Sequence, residues 1–162
     1  MFSPALLSLA KAVLDAARAK KLRIATAESC TGGLISGVLT EIPRSSDVLE
    51  RGFVTYSNKA KEEMLGVPPA LIKHHGAVSE QVARAMAEGA IKHSPAHLAV
   101  AVTGIAGPGG GTKAKPVGLV YLAVHRKGRP SLNEEHRFGN IGRTQVRLKS
   151  VEAALELLRR LL

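Results

Sequence analysis

The stretch "HLAVAVTGIAGPGGG", His97 to Gly111, decides the fold. Its first half is an unbroken apolar run, the pattern of a strand covered on both faces rather than one with a face in water. Its second half is a glycine-rich loop. A strand covered on both sides needs helices on both sides of its sheet. The preceding segment, "SEQVARAMAEGAIKH", predicts a helix capped by Ser79, with Val82, Ala83, Met86, Ala87, Ala90 and Ile91 on its inner face. The following segment, "VGLVYLAVHRKG", predicts another strand, able to form a hairpin with the first, and "SLNEEHRFG" reads as one more.

Toward the N-terminus the alternation continues. Residues 4 to 20 place Leu6, Leu7, Ala10, Val13, Leu14 and Ala17 at helical spacing. "LRIATAES" reads as a strand and "TGGLISGVLTEI" as a helix opened by Thr31, closed by "IPRSS". "VLERGFVTYS" is a second strand. "NKAKEEMLGV" is a helix with Asn58 at its N-cap and Gly66 near its end, and "PPALIKHHG" is a short helix or turn. "GRTQVRLKSVEAALELLRRLL" closes the chain as a long helix with Val146, Val151, Leu155 and Leu158 on one side. The expectation is a single three-layer α/β/α domain with a mixed, mainly parallel sheet.

Composition narrows the function classes. With 162 residues, 45% of them hydrophobic, the chain has the length and apolar content for one well-formed core. Aromatics are only 3%, so Ala, Val, Leu and Ile must build that core. No apolar run approaches the roughly 18 residues of a membrane span. The N-terminal stretch reads as an amphipathic helix and not a signal peptide. A single cysteine excludes an internal disulfide framework and suits a reducing cytoplasm. The formal charge of +10 suits an anionic ligand as well as a solvated surface. The scarcity of aromatics for base stacking, with no DNA-binding motif, argues against nucleic acid.

Chemistry concentrates where strands end. In "IATAESCTGG", Ser29 lies at a strand-to-helix handover, beside helix-start amides that lack partners inside the helix and can face a phosphate or an oxyanion. Gly32 and Gly33 let a ligand approach the backbone. The competing reading makes Ser29 and Thr31 simple helix caps, and Cys30 is an alternative nucleophile. A serine nucleophile needs a base. None of the six histidines shows an obvious triad pattern. A lysine serves if burial or positive surroundings keep it neutral. Lys61, on the first turns of a helix, is in a place that disfavours an ammonium. Lys59, two positions away, points elsewhere. Thr103 stands at the end of the central strand, and the loop from Gly104 through Gly107 offers backbone amides although it does not match a P-loop. Lys113 and Lys115 add positive charge there. Arg143 and Arg147 open the last helix as a phosphate clamp or as a solvated face. His75 is structural or lines a pocket, because no second set of ligands accompanies it.

Five blocks in order, "TAESCTGG", "RGFVTYSNKAKEEMLGVP", "HGAVSEQVA", "VTGIAGPGGGT" and "KPVG", resemble the CinA C-terminal domain family, whose characterised activity is nicotinamide-nucleotide amidase, the PncC type. The resemblance covers nearly the whole chain. It implies one domain over residues 1–162, without the N-terminal molybdopterin-binding-like domain that many relatives carry. It implies hydrolysis of nicotinamide mononucleotide to nicotinate mononucleotide and ammonia, in pyridine nucleotide salvage, by a cytoplasmic Ser-Lys enzyme that uses no metal or cofactor. On that resemblance Ser29 is the nucleophile and Lys61 the general base. Thr31, Gly32 and Gly33 lie beside the reacting carbonyl. Tyr56, Thr103, Gly104 and Gly107 line the substrate pocket, and Arg143 contacts the phosphate. It also implies a homo-oligomer, a dimer or larger, and no membrane partner. A non-catalytic nucleotide-binding or competence-associated interaction module is the alternative.

Overall fold

The computed structural model describes residues 1–162. Its elements alternate as the sequence predicts: α1 Pro4–Ala19, β1 Ile24–Glu28, α2 Leu34–Thr40, β2 Leu49–Val54, α3 Asn58–Leu65, α4 Pro69–His75, α5 Glu80–Lys92, β3 Leu98–Gly104, β4 Leu119–Arg126, β5 Leu132–Arg137 and α6 Arg143–Arg160. The five strands form one open sheet in the order β2-β1-β3-β4-β5. β1 pairs in parallel with both β2 and β3, while β3–β4 and β4–β5 are antiparallel, so four of the five strands point the same way.

Strand alternation sorts the core into two halves. Leu98, Val100 and Val102 of β3 join Ile24, Val120 and Leu122 against α1, α2 and α6. Ala99 and Ala101 of the same strand join Ala25, Ala27 and Ala123 against α5. The alanine face accepts a helix whose own inner face is small, with Ala83, Ala87 and Ala90 fully buried. Branched residues on one side and alanines on the other build a dense core in which Phe53 is the one buried aromatic. Each fully buried Leu or Val on α6, such as Val151, Leu155 and Leu158, contributes about 1.5–3 kcal/mol.

Two helix starts differ from the sequence reading. α3 is capped by Ser57, whose hydroxyl accepts from Ala60 N–H at 3.0 Å, and Asn58 is its first residue. Both are good capping types, and the extended backbone at Ser57 decides between them. α2 starts at Leu34 rather than at Thr31, because Gly32 and Gly33 take left-handed φ angles of 57° and 99° before the helix begins. Thr31 does not cap it.

Candidate active site

The carboxyl ends of β1, β2 and β3 lie side by side, the usual ligand edge of a parallel sheet. The ladder runs past their last residues. Ser29 N–H donates to Val102 C=O at 3.0 Å, and Thr55 N–H donates to Glu28 C=O at 2.8 Å. These two bonds hold Ser29 and Thr55 next to each other. Lys61, six residues further along on the first turns of α3, reaches back between them. Its Nζ lies 3.0 Å from Ser29 Oγ and donates to Thr55 C=O at 2.8 Å. The lysine is only 1% exposed and has no carboxylate partner. Burial pulls its ammonium down to about 8, with a small opposing effect from Cys30. Burial also pushes the Cys30 thiol up to about 12, so the cysteine supplies no thiolate near neutral pH.

The amides that open α2 are not available to a ligand. Glu28 is fully buried, and its carboxylate collects four donors. One oxygen accepts from Thr31 Oγ1 at 2.7 Å, Gly33 N–H at 3.1 Å and Ile35 N–H at 3.0 Å, and the other from Ser36 N–H at 2.9 Å. This side chain, absent from the residues singled out above, is the true cap of α2. A sequence signal for it exists: a lone carboxylate ending an apolar strand must find donors.

A cleft of about 300 Å³ opens beside the Ser29–Lys61 pair, at the small end of the roughly 300–1,000 Å³ of ligand sites. Of the residues singled out in the sequence, Ser29, Lys61, Tyr56, Thr103, Gly104, Gly107 and Arg143 all line it. Thr31, Gly32 and Gly33 do not. The Thr31 hydroxyl serves Glu28, and the two glycines carry the left-handed turn into α2. Thr103 Oγ1 donates to Ala77 C=O at 2.8 Å and so fixes a cleft wall. A Cβ at Gly104 would sit 2.7 Å from Val120, so that glycine serves strand packing as well. At the mouth, Arg143 bridges Gly107 C=O and the Tyr56 hydroxyl, both at 2.8 Å. The amides of Ala106, Gly107, Gly109 and Gly110 in the glycine-rich loop donate to nothing within the chain, and these four residues line the cleft.

Two basic residues read as ligand-facing have other partners. Arg147 is not the second half of a clamp with Arg143; it donates to the carbonyls of Cys30 at 3.1 Å and Thr31 at 3.0 Å. Lys115 Nζ donates to His75 C=O at 2.6 Å and Val78 C=O at 2.8 Å, which ties the glycine-rich loop to the wall opposite. No group of three His, Cys, Asp or Glu side chains is placed to hold a metal. No helix is long and apolar enough to cross a membrane.

The pattern of the CinA C-terminal domain matches residues 6–162. The chain belongs to the CinA C-terminal domain family. Within that family it is 48% identical, over 94% of its length, to a putative competence-damage inducible protein of Caldicellulosiruptor bescii, of which it spans 36%. It is 58% identical over 76% of its length to a CinA-like protein of Akkermansia muciniphila, spanning 30% of that protein. The chain thus spans about a third of the length of these curated relatives. Among solved structures, the competence/damage inducible protein CihA from Agrobacterium tumefaciens superposes with a TM-score of 0.98 at 52% identity, over 99% of this chain and 98% of that one. A CinA superfamily protein from Escherichia coli superposes at 0.92 with 34% identity, over 100% of this chain and 94% of that one.

Proposed function

We propose that this CinA-family domain is an amidohydrolase that deamidates nicotinamide mononucleotide by a Ser-Lys mechanism. The observation that carries the reading is the buried contact between Lys61 Nζ and Ser29 Oγ at 3.0 Å, with no acid to hold the amine charged. As Ser29 Oγ attacks the carboxamide carbon, neutral Lys61 takes its proton, and the carbonyl π electrons move onto oxygen. The tetrahedral oxyanion collapses, the C–N bond breaks, and the lysine's proton goes to the leaving nitrogen, which departs as ammonia. Water then gives a proton to Lys61 and its oxygen attacks the ester. The C–O bond to Ser29 breaks and the serine recovers its proton, releasing nicotinate mononucleotide.

The cleft suits the two ends of this substrate differently. The carboxamide belongs beside Ser29, where three strand ends meet. The phosphate belongs with the unengaged amides of the glycine-rich loop and Arg143, which lie in the same cleft. No metal or cofactor takes part, and the assay therefore needs only protein and substrate. The test is ammonia release from nicotinamide mononucleotide, nicotinamide riboside and the full dinucleotide. Turnover of the mononucleotide and its loss in a folded Ser29→Ala variant are expected. Full activity in that variant removes the nucleophile assignment. Binding without turnover in the unaltered protein moves the reading to a nucleotide-binding module.

A further inference from the structure

We infer that Thr103 distinguishes substrate from product: its hydroxyl accepts an N–H of the carboxamide and turns the leaving nitrogen toward Lys61. This assignment rests on the amidase reading and adds a specificity-determining residue to it. The ladder sets the place. β1 and β3 pair in parallel, with Ala27 opposite Ala101 and Glu28 opposite Val102. The bond from Ser29 N–H to Val102 C=O carries the pairing one residue further and puts Thr103 beside Ser29. Side chains alternate along a strand, so both stand on the face that Ala27 and Ala101 turn to α5. Adjacent strands run about 5 Å apart, and both residues line the cleft. Lys61 reaches Ser29 from the β2 side, where its amine also donates to Thr55 C=O. Ser29 therefore has a base on one flank and a hydroxyl on the other.

That hydroxyl has one polarity to offer. A carbonyl cannot donate, so the 2.8 Å contact with Ala77 C=O uses the hydroxyl's single proton. The carbonyl itself is held in place by its neighbours. Lys115 Nζ takes the carbonyls of His75 and Val78, and Ser79 Oγ takes that of Gly76, so four successive carbonyls each have a side-chain donor. For a ligand Thr103 has lone pairs alone. A carboxamide meets them with an N–H. A carboxylate has no hydrogen to give and sets oxygen against oxygen. The same contact orients the reaction. The leaving nitrogen must take the proton that Lys61 holds, which requires its lone pair on the lysine side. An N–H held by Thr103 on the opposite flank leaves the lone pair there. Once ammonia has left and water has cleaved the ester, the carboxylate product faces an oxygen that rejects it.

The experiment takes the unaltered protein, Thr103→Val and Thr103→Ser, with circular dichroism to check folding. Two quantities are measured for each: kcat/KM for nicotinamide mononucleotide by ammonia release, and Ki for nicotinate mononucleotide as an inhibitor of that release. Valine keeps the shape and removes the lone pairs; serine keeps the hydroxyl. In the unaltered protein the product Ki should lie at least about tenfold above KM. Thr103→Val should lose about tenfold in kcat/KM, the value of one hydrogen bond, while the product Ki holds or falls. Thr103→Ser should stay within about threefold of the unaltered protein in both. A residue that only supports the cleft wall weakens substrate and product together when it is lost. That parallel weakening, or an unchanged kcat/KM in folded Thr103→Val, overturns this inference and leaves the amidase reading standing. Should Thr103→Val fail to fold, the unaltered protein decides, and a product Ki at or below KM overturns the inference. Absence of turnover in the unaltered protein overturns the amidase reading, and this inference with it.

Discussion

Replacing Lys61 by methionine tests the electrostatic premise without any substrate. Methionine has a similar length and carries no charge. In the folded chain burial lowers the lysine from 10.5 to about 8, a differential interaction of about 3 kcal/mol at roughly 1.4 kcal/mol per unit. Below pH 8 the lysine is protonated in both folded and unfolded chains, and the folded state carries the full penalty of a buried ammonium. Between pH 8 and 10.5 the folded state has lost its proton while the unfolded state still holds one. The unfolded state binds more protons, so stability rises with pH across this window. Above 10.5 both forms are neutral and the penalty is gone. Lys61→Met has no such window. It also strands the Thr55 carbonyl that the amine satisfied, but that cost does not depend on pH. The assay is urea unfolding of both proteins at steps from pH 7 to pH 10.5. The difference in unfolding free energy, unaltered protein minus variant, should climb by about 2–3 kcal/mol. All other titrating groups are common to both and cancel. Parallel curves across the window would refute the depressed lysine, and the general-base assignment with it.

The same lysine must be neutral to accept the serine proton, so kcat/KM for nicotinamide mononucleotide should rise about tenfold per pH unit and level off near pH 8; a profile flat from pH 6 to 9 contradicts the assignment. Glu28→Gln puts an amide nitrogen where four donors converge on a carboxylate, and should lower stability by about 2–4 kcal/mol in chemical denaturation. A change below about 0.5 kcal/mol would place Glu28 among exposed, replaceable residues. Thr55 Oγ1 is the one buried side-chain oxygen without a hydrogen-bond partner. Thr55→Val keeps the shape and removes the desolvated hydroxyl, so stability should hold or rise by up to about 1 kcal/mol; a clear loss would reveal a partner for that hydroxyl.

The layer architecture was legible because periodicity and burial agree. The continuous run Leu98–Val102 demanded cover on both faces, and α1, α2 and α6 cover one face of the sheet while α5 covers the other. Capping was legible where the cap is the adjacent residue, as at Ser79, whose hydroxyl accepts from Val82 N–H. It was not legible at α2, where the acceptor, Glu28, sits before a left-handed turn and reaches over it. Strand-end position put Ser29, Thr103 and Gly104 at one edge, and helix position put Lys61 near it. The partner of Arg147 was out of reach, since a contact to carbonyls 116 and 117 positions away leaves no local trace. Arg143 and Arg147 share a helix turn and look interchangeable in sequence. Only the fold shows that one faces the cleft mouth and the other the back of the nucleophile's turn.

Under the proposed Ser-Lys mechanism, Glu28 and Thr55 together explain how a lysine can stand in for the histidine of more familiar hydrolytic sites. A lysine beside a serine is useless if a carboxylate pairs with it, because the pair holds the proton. Glu28 immediately precedes the nucleophile, yet both of its oxygens are turned to the start of α2 and held by four donors. The amine is left with a neutral acceptor, the Thr55 carbonyl. That bond uses one N–H of the neutral amine and fixes the direction of its nitrogen, which leaves the lone pair for the Ser29 hydroxyl proton. After transfer the ammonium still has Thr55 C=O on one side and the serine oxygen on the other, so the proton is held where the leaving nitrogen needs it. The parallel ladder that sets Glu28 C=O against Thr55 N–H is therefore a requirement of the proposed chemistry as well as of the fold. It fixes the carbonyl that steers the base at the same height as the serine that the base must reach.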